Sequence, residues 1–352
     1  MKILVISLAG IGDTLMATPF LHELRANFPA ATIDVLVMWA GARDLLENNP
    51  HINRVFHKNL ITGGRREALR FLTGLRRERY DLSLNTHPQS RIHYRVAAFL
   101  AGAKTRLSHE YECSNVLDRL LLTHSIPQDY QQHAAENNFA FLPLIGAKKL
   151  LDRHELEIFL SPAEEQWAAD FLASAGLAGR PWLGVHIGSG GTKNLALRRW
   201  PVENYLALAR QLRTARAGLP VVFFGGPEEA AGHQVIRSQL EDAVFPPTKN
   251  LRQAAAVIRH ARAFLSVDTA LMHVAAAMKV PGQVVIETPT WNRPIQPFGN
   301  PFTLVPNPVV NGRGLEYYRY DGGDIKGSRE ELIACMQSVT VAAVQEAVLR
   351  RV

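Results

Sequence analysis

Apolar positions in this chain come in short continuous runs separated by helix-period stretches, and the alternation occurs in two blocks. In the first block Ile3–Leu8 is an unbroken apolar run ending at Gly10 and Gly12, and a helical pattern follows from Asp13 to Asn27. Ile33–Met38 is a second run. A basic helical stretch from Gly64 to Arg79 precedes a third, Asp81-Leu-Ser-Leu84. The second block opens with a helical stretch, Pro162–Ala175, and a break at Gly176–Pro181. Strands are predicted at Trp182–Ile187, Pro220–Phe224, Ala263–Val267 and Val284–Glu287, with helices at Pro201–Arg216, Gln253–Ala261 and Thr269–Met278. Continuous apolar strands alternating with helices predict parallel sheets covered on both faces. The expected fold class is therefore α/β, with two Rossmann-like, doubly wound parallel-sheet domains at 1–160 and 161–328. A final helix, 329–352, is expected to pack back across the domain junction. Ligands of such sheets bind beyond the carboxyl ends of the strands.

The 352 residues suit two cores, since single cores stop growing near ~250–300 residues. Hydrophobic residues at 47% and charged residues at 20% describe an ordinary globular chain. Cys113 and Cys335 lie far apart without CxxC or Cys/His companions, which argues against a disulfide framework or a zinc site and for a cytoplasmic setting. The apolar start Ile3–Leu8 stops at Asp13 without a long signal-like core and reads as a buried strand. A formal net charge of +7 favours anionic partners: phosphorylated sugars, nucleic acid or an anionic membrane surface.

Four constellations could carry chemistry. Gly10, Gly12 and Asp13 follow the first strand, where glycines permit close backbone approach and a carboxylate suits a helix start. Asp13 is either a helix cap or a catalytic carboxylate. His186-Ile-Gly-Ser-Gly-Gly191 is a loop whose amides can cradle phosphate, with Thr192, Lys193, Arg198 and Arg199 beside it. Trp200-Pro201 after the arginines looks structural. Phe223-Phe-Gly-Gly-Pro-Glu-Glu229 places Glu228 and Glu229 just past a strand, where acidic residues either bind ribose or charge the next helix. The sharpest is Asp268-Thr-Ala-Leu-Met-His273: a strand ends, a helix starts at once, and Asp268 and Thr269 can cap it while its first amides face an anion. A lone helical histidine such as His273 is usually core. Thr290, after the next strand, could add a hydroxyl. The basic stretch Arg65–Arg79, interleaved with Leu69, Phe71, Leu72 and Leu75, is either a solvated helix or a contact for an anionic membrane. No nucleic-acid motif accompanies it.

Together these motifs resemble glycosyltransferase family 9, best known for the ADP-heptose:lipopolysaccharide heptosyltransferases. The matching pieces are Gly12-Asp13 with Pro19, the His186 and Gly188–Gly191 loop with Arg199-Trp200-Pro201, Gly225–Glu229, and Asp268–His273 with Ala275 and Ala276. The resemblance implies a GT-B fold and an inverting, metal-independent transfer with no cofactor. A heptose or related sugar would pass from an ADP-activated donor to a hydroxyl of a glycan or glycolipid acceptor such as lipopolysaccharide core. By the same resemblance the acceptor belongs to the N-terminal domain and the nucleotide to the C-terminal one. Asp13 would be the general base, and Lys193 or Arg198 would neutralise the diphosphate. Glu229 or Glu228 would hold the ribose, and Asp268, Thr269 and His273 would line the donor pocket. Gly12, Ser189, Gly190, Thr192, Ala270 and Thr290 complete the expected donor-binding set. The enzyme would act in the cytoplasm, at the inner face of the membrane. Two positions depart from the pattern: Ile187, where many relatives carry proline, and Thr288-Pro-Thr290 in place of Gly-Pro-Thr. The rival readings are a sugar-nucleotide epimerase or related enzyme on the same architecture, and a non-catalytic nucleotide-sugar-binding protein. A nicotinamide dehydrogenase is disfavoured, because the first turn lacks GxGxxG.

Overall fold

The structure is a computed structural model that describes residues 1–191, 194–312 and 325–352. The chain divides into two compact units between Phe159 and Leu160. The first contains β1 (Lys2–Ser7), α1 (Ile11–Met16), α2 (Thr18–Asn27), β2 (Thr32–Val37), α3 (Ala40–Leu46), β3 (Arg54–His57), α4 (Arg65–Gly74), β4 (Leu82–Asn85), α5 (Ile92–Ala101), β5 (Thr105–Glu110), α6 (Val116–Leu121), β6 (His124–Pro127) and α7 (Ala134–Phe139). All six strands are parallel, in the order β3-β2-β1-β4-β5-β6.

The apolar run of β1 explains its central place. Ile3 and Val5 join Ile33, Val35 and Leu84 in one core, while Leu4 and Ile6 join Leu36 in a second core on the opposite face. A strand buried on both faces cannot alternate with polar residues. The edge strands β3 and β6, and β5 beside β6, carry Arg54, Arg106, Glu110 and His124, which is why the hydrophobic pattern missed them. The helix predicted from Asp13 to Asn27 is two helices. The chain bends at Ala17, the Thr18 hydroxyl donates to the Leu15 carbonyl at 2.7 Å, and Pro19, lacking an N–H, sits in the first turn of α2.

The second unit contains α8 (Pro162–Ser174), β7 (Leu183–His186), α9 (Val202–Ala215), β8 (Val221–Phe224), α10 (Ala230–Gln239), α11 (Leu251–Ile258), β9 (Ala263–Ser266), α12 (Ala270–Ala277), β10 (Gly282–Ile286), β11 (Phe302–Val305), α13 (Arg329–Gln337) and α14 (Val341–Leu349). Its five parallel strands run β8-β7-β9-β10-β11. Trp200 is buried, lies edge-on to Tyr205 with ring centroids 4.9 Å apart, and donates its indole N–H to the Val339 carbonyl at 2.9 Å. The terminal segment is not the single helix expected. It breaks after Gln337, Thr340 caps the second piece, and Met336, Val339, Val344 and Val348 enter the second unit's own core. Among the described residues no single helix is long and apolar enough to cross a membrane.

The strand order of both sheets reverses beside their first strand, between β1 and β4 in one and between β7 and β9 in the other. Loops leave such a switch point on opposite faces of the sheet and open a crevice there. Gly10–Asp13 follows β1, the glycine loop follows β7, and Asp268-Thr269 follows β9.

A charge pair between the buried Arg252 and the partly exposed Glu164 ties α8 to α11. Ser161 and Glu164 form a reciprocal capping box at the start of α8, and the buried Arg252 donates to both Glu164 oxygens at 2.6 and 2.7 Å. These hydrogen bonds from Arg252 outweigh burial and bring the Glu164 pKa down to about 2. A depressed carboxylate stabilises the fold above its ordinary pKa and loses that contribution as pH falls through the folded value. Glu164→Gln should therefore lower Tm by roughly 5 °C at pH 7. The gap to wild type should close between pH 5 and pH 2, and a gap independent of pH in melting curves would refute the account.

Candidate active site

In the second unit the loops after four neighbouring strands are cross-linked by two arginines. Arg198 ends a 3-10 turn, Leu195–Arg198, and its buried guanidinium bonds the Asp268 carboxylate after β9 and the Thr290 hydroxyl after β10, the latter at 3.1 Å. Thr290 also contacts Asp268 Oδ2 at 3.4 Å and Thr288 at 3.2 Å. Burial pushes the Asp268 pKa above the ordinary carboxylate value, although the Arg198 charge and the Thr290 hydroxyl pull the other way. Arg199 reaches the Ser189 carbonyl after β7 at 2.9 Å and Glu229 Oε1 after β8 at 3.2 Å.

Glu229 is buried and accepts the Gly226 N–H at 2.8 Å, with His186 Nε2 3.9 Å away. Burial raises its pKa, but the nearby His186 ring, the Gly226 N–H hydrogen bond and the Arg199 charge bring it below the ordinary value. Glu228 by contrast is exposed on its side chain. Glycine is required where the backbone meets this carboxylate: a Cβ on Gly188 would lie 2.1 Å from Glu229 Oε1, and one on Gly225 2.7 Å from Glu229 Cβ.

Other predicted residues are placed less directly. Ser189 spends its hydroxyl on the Leu195 carbonyl at 2.8 Å and so fastens the turn that carries Arg198. Gly190 is exposed, and Thr192 and Lys193 lie outside the described residues. Thr269 stands at the N-cap of α12 with extended backbone but makes no side-chain cap bond, and Asp268 is turned to Arg198. The expected side-chain capping by these two residues is thus replaced by an ion pair, and the amides of Ala270 and Leu271 start the helix without a side-chain acceptor. His273 is buried one turn along α12. Among the described residues Nε of Arg198, Nε of Arg199 and Nδ1 of His186 are buried without a hydrogen-bond partner. Buried polar groups are rarely left so in native proteins, and a cluster of them marks a place for polar ligand or solvent.

In the first unit Asp13 sits in the opening turn of α1 beside the partly buried Gly12, and its Oδ2 accepts the Gly10 N–H at 2.6 Å. That bond orients the carboxylate at the switch point. A polar group unannounced by any motif lies in the β4 and β5 loops. Gln89 accepts the Leu8 N–H at 3.2 Å, His87 Nδ1 is 2.9 Å from the Tyr111 hydroxyl, and the buried Arg95 guanidinium donates to the Gln89, Arg91 and His109 carbonyls. Burial, helped by the Arg95 charge and opposed by a bond to the Asn137 carbonyl, pushes His109 down to about 4, so it is neutral near pH 7. Burial, with Asp13 adding to it, raises Tyr94. The one sequence signal for this group was the density of polar residues in Asn85-Thr-His-Pro-Gln-Ser90 directly after an apolar strand.

The profile of glycosyltransferase family 9 (heptosyltransferase) matches residues 68–306. The chain belongs to this family. It is a glycosyltransferase of the GT-B fold, and the resemblance carried by its motifs holds. Lipopolysaccharide heptosyltransferase 3 of Escherichia coli is 26% identical over 281 residues, 77% of this chain and 78% of the relative. Lipopolysaccharide heptosyltransferase 2 of Salmonella typhimurium is 28% identical over 306 residues, 80% and 81% of the two chains. Among solved structures, a family 9 glycosyl transferase from Veillonella parvula superposes with a TM-score of 0.77 at 21% identity, covering 99% of this chain and 96% of that one. The ADP-heptose lps heptosyltransferase II of E. coli gives 0.70 at 23% identity over 99% and 98%.

The Arg198–Asp268 pair of this glycosyltransferase generates a prediction. Arg198→Met should cost about 3–5 kcal/mol at pH 8, because it strands a buried carboxylate. Asp268 already has a raised folded pKa, so the stranded charge costs most above that pKa and the loss should shrink as pH falls toward 5. Adding Asp268→Asn should recover much of the loss. Chemical denaturation at both pH values checks this, and an equal loss at each with no recovery would show that charge pairing is not what matters.

Proposed function

We propose that this glycosyltransferase is an inverting heptosyltransferase using an ADP-activated heptose as donor and a hydroxyl of a lipopolysaccharide core glycan as acceptor. The observation that carries the reading is the double switch-point arrangement in a family 9 chain. One sheet presents an oriented carboxylate, Asp13, and the other a buried arginine, Arg198, beside the partly exposed Arg199 and the first amides of α12.

In this reading the Asp13 carboxylate takes the proton of the acceptor hydroxyl. The acceptor oxygen forms a bond to the anomeric carbon, and the bond from that carbon to the diphosphate oxygen breaks, its electron pair leaving with ADP. The developing charge on the diphosphate meets Arg198 or Lys193, together with the first amides of α12, an electrostatic task such groups can perform without a metal. Glu229, held ionised beside Arg199, offers an acceptor to the ribose hydroxyls. Thr269, Ala270, His273 and Thr290 line the donor, with Ser189 and Gly190 in the glycine loop. The names of the relatives, lipopolysaccharide heptosyltransferases 2 and 3, support the sugar and the acceptor class.

A membrane acceptor also gives the surface of the first unit a purpose. Arg65, Arg66, Arg70, Arg76, Arg77 and Arg79 are all exposed, alongside Leu69. Basic and apolar side chains together suit an anionic bilayer surface at the cytoplasmic face.

Thermal shifts with ADP, UDP, GDP and ADP-heptose test the donor, because a ligand bound by the native state raises its stability. ADP and ADP-heptose should stabilise the protein and the other two should not, and a preference for UDP or GDP would sink the heptose assignment. Asp13→Asn should keep the donor-induced shift while turnover falls by roughly 10²–10⁴. Unchanged turnover would remove Asp13 from the chemistry.

A further inference from the structure

Away from both switch points, His22, His51 and Glu157 bring three metal-type ligand atoms within 4.8 Å of one another in the first unit. We propose that they form a binding site for a single divalent transition-metal ion, Zn²⁺ or a similar borderline cation. No step of the sugar transfer runs through it.

The distances have the right scale. His22 Nδ1 is 2.9 Å from Glu157 Oε1, and His51 Nε2 is 3.4 Å from Glu157 Oε2. Ligand atoms about 2.0–2.2 Å from a tetrahedral ion stand ~3.3 Å from one another. An ordinary hydrogen-bonded cluster accounts for only half of this. Glu157 Oε2 is buried and accepts no hydrogen bond, although an imidazole nitrogen lies 3.4 Å away, so the His51 ring is not aimed to give it a proton. A buried carboxylate oxygen without a donor calls for a cation.

The two imidazole rings stack with centroids 3.7 Å apart and planes inclined by 15°, so one ring turns about its side-chain bonds before both nitrogen lone pairs point at a single ion. Nitrogen, nitrogen and carboxylate oxygen together suit Zn²⁺, Co²⁺ or Ni²⁺ better than Ca²⁺ or Mg²⁺, which prefer all-oxygen shells. The side chains retain 34%, 13% and 21% exposure, so water can complete the coordination sphere.

All three ligands are tied to one helix, so their backbones are held together before any ion arrives. His22 is on α2. The Glu157 N–H donates to the hydroxyl of Thr18, one turn earlier on the same face of that helix, at 3.0 Å. Arg25, also on α2, donates to the His51 carbonyl at 3.2 Å, and the His51 ring packs edge-on to Phe159. Phe159 ends the first unit's long segment, Met1–Phe159. A bound ion would therefore fasten the final residues of that unit to the helix that directly follows α1.

The test uses the full chain, stripped with a chelator and titrated with Zn²⁺ by calorimetry and with Co²⁺ by visible absorption. One ion per chain should bind saturably and raise Tm as concentration increases. His22→Asn, His51→Gln and Glu157→Gln should each weaken binding by at least about tenfold, since even changes behind the ligands cost that much. Each should still melt cooperatively without metal. His124→Gln, an exposed histidine elsewhere, should bind like wild type. Absence of saturable binding, or binding that survives all three substitutions, would overturn the proposal.

Discussion

The central strands of both sheets are buried on both faces, and most of what this chain does follows from that constraint. Ile3, Leu4, Val5 and Ile6 are fully buried, as are Ala263, Phe264 and Leu265 in the second sheet. Such strands leave no side chain available for chemistry along their length. Polar function is confined to the residues just past the carboxyl ends, and the crevice forms where neighbouring crossovers diverge. Asp13, the glycine loop and Asp268 all occupy those positions.

Within the second unit, the loops at those ends are organised by charge. Arg198 binds residues after β9 and β10, and the adjacent Arg199 binds residues after β7 and β8. Two consecutive arginines thereby hold four loops, while Trp200 anchors the same segment to Val339 through its indole N–H. Each carboxylate is neutralised by an arginine that still has a buried Nε without a partner. This balance suits an anionic ligand: the acids hold the arginines in place without using every donor.

Family membership and the two-sheet architecture were legible in the sequence for a shared reason. Long apolar runs and glycine-rich turns are local signals, and Gly12-Asp13, Gly188–Gly191 and Asp268–His273 stand directly at strand ends. Strands β3, β5 and β6 were not legible, because strands at and next to the sheet edges carry arginine, histidine and glutamate. The bend at Ala17 and the break before Thr340 also escaped, since helical periodicity continues through both.

The sequence by itself determined which segments are buried strands, which loops carry glycine and charge, and so the family and the class of reaction. Only the tertiary structure decided which charges meet. Arg198 pairs with Asp268 across seventy positions of chain, Glu229 with Arg199 across thirty, and Glu157 with His22 across more than a hundred. Buried ion pairs and ligand clusters leave no periodic trace, because their partners are chosen by strand order and sheet twist. Thr269 shows the limit most plainly. Its position before a helix predicts a cap, yet its backbone takes the cap place while its hydroxyl makes no cap bond, and the neighbouring Asp268 turns to a cation brought by another loop.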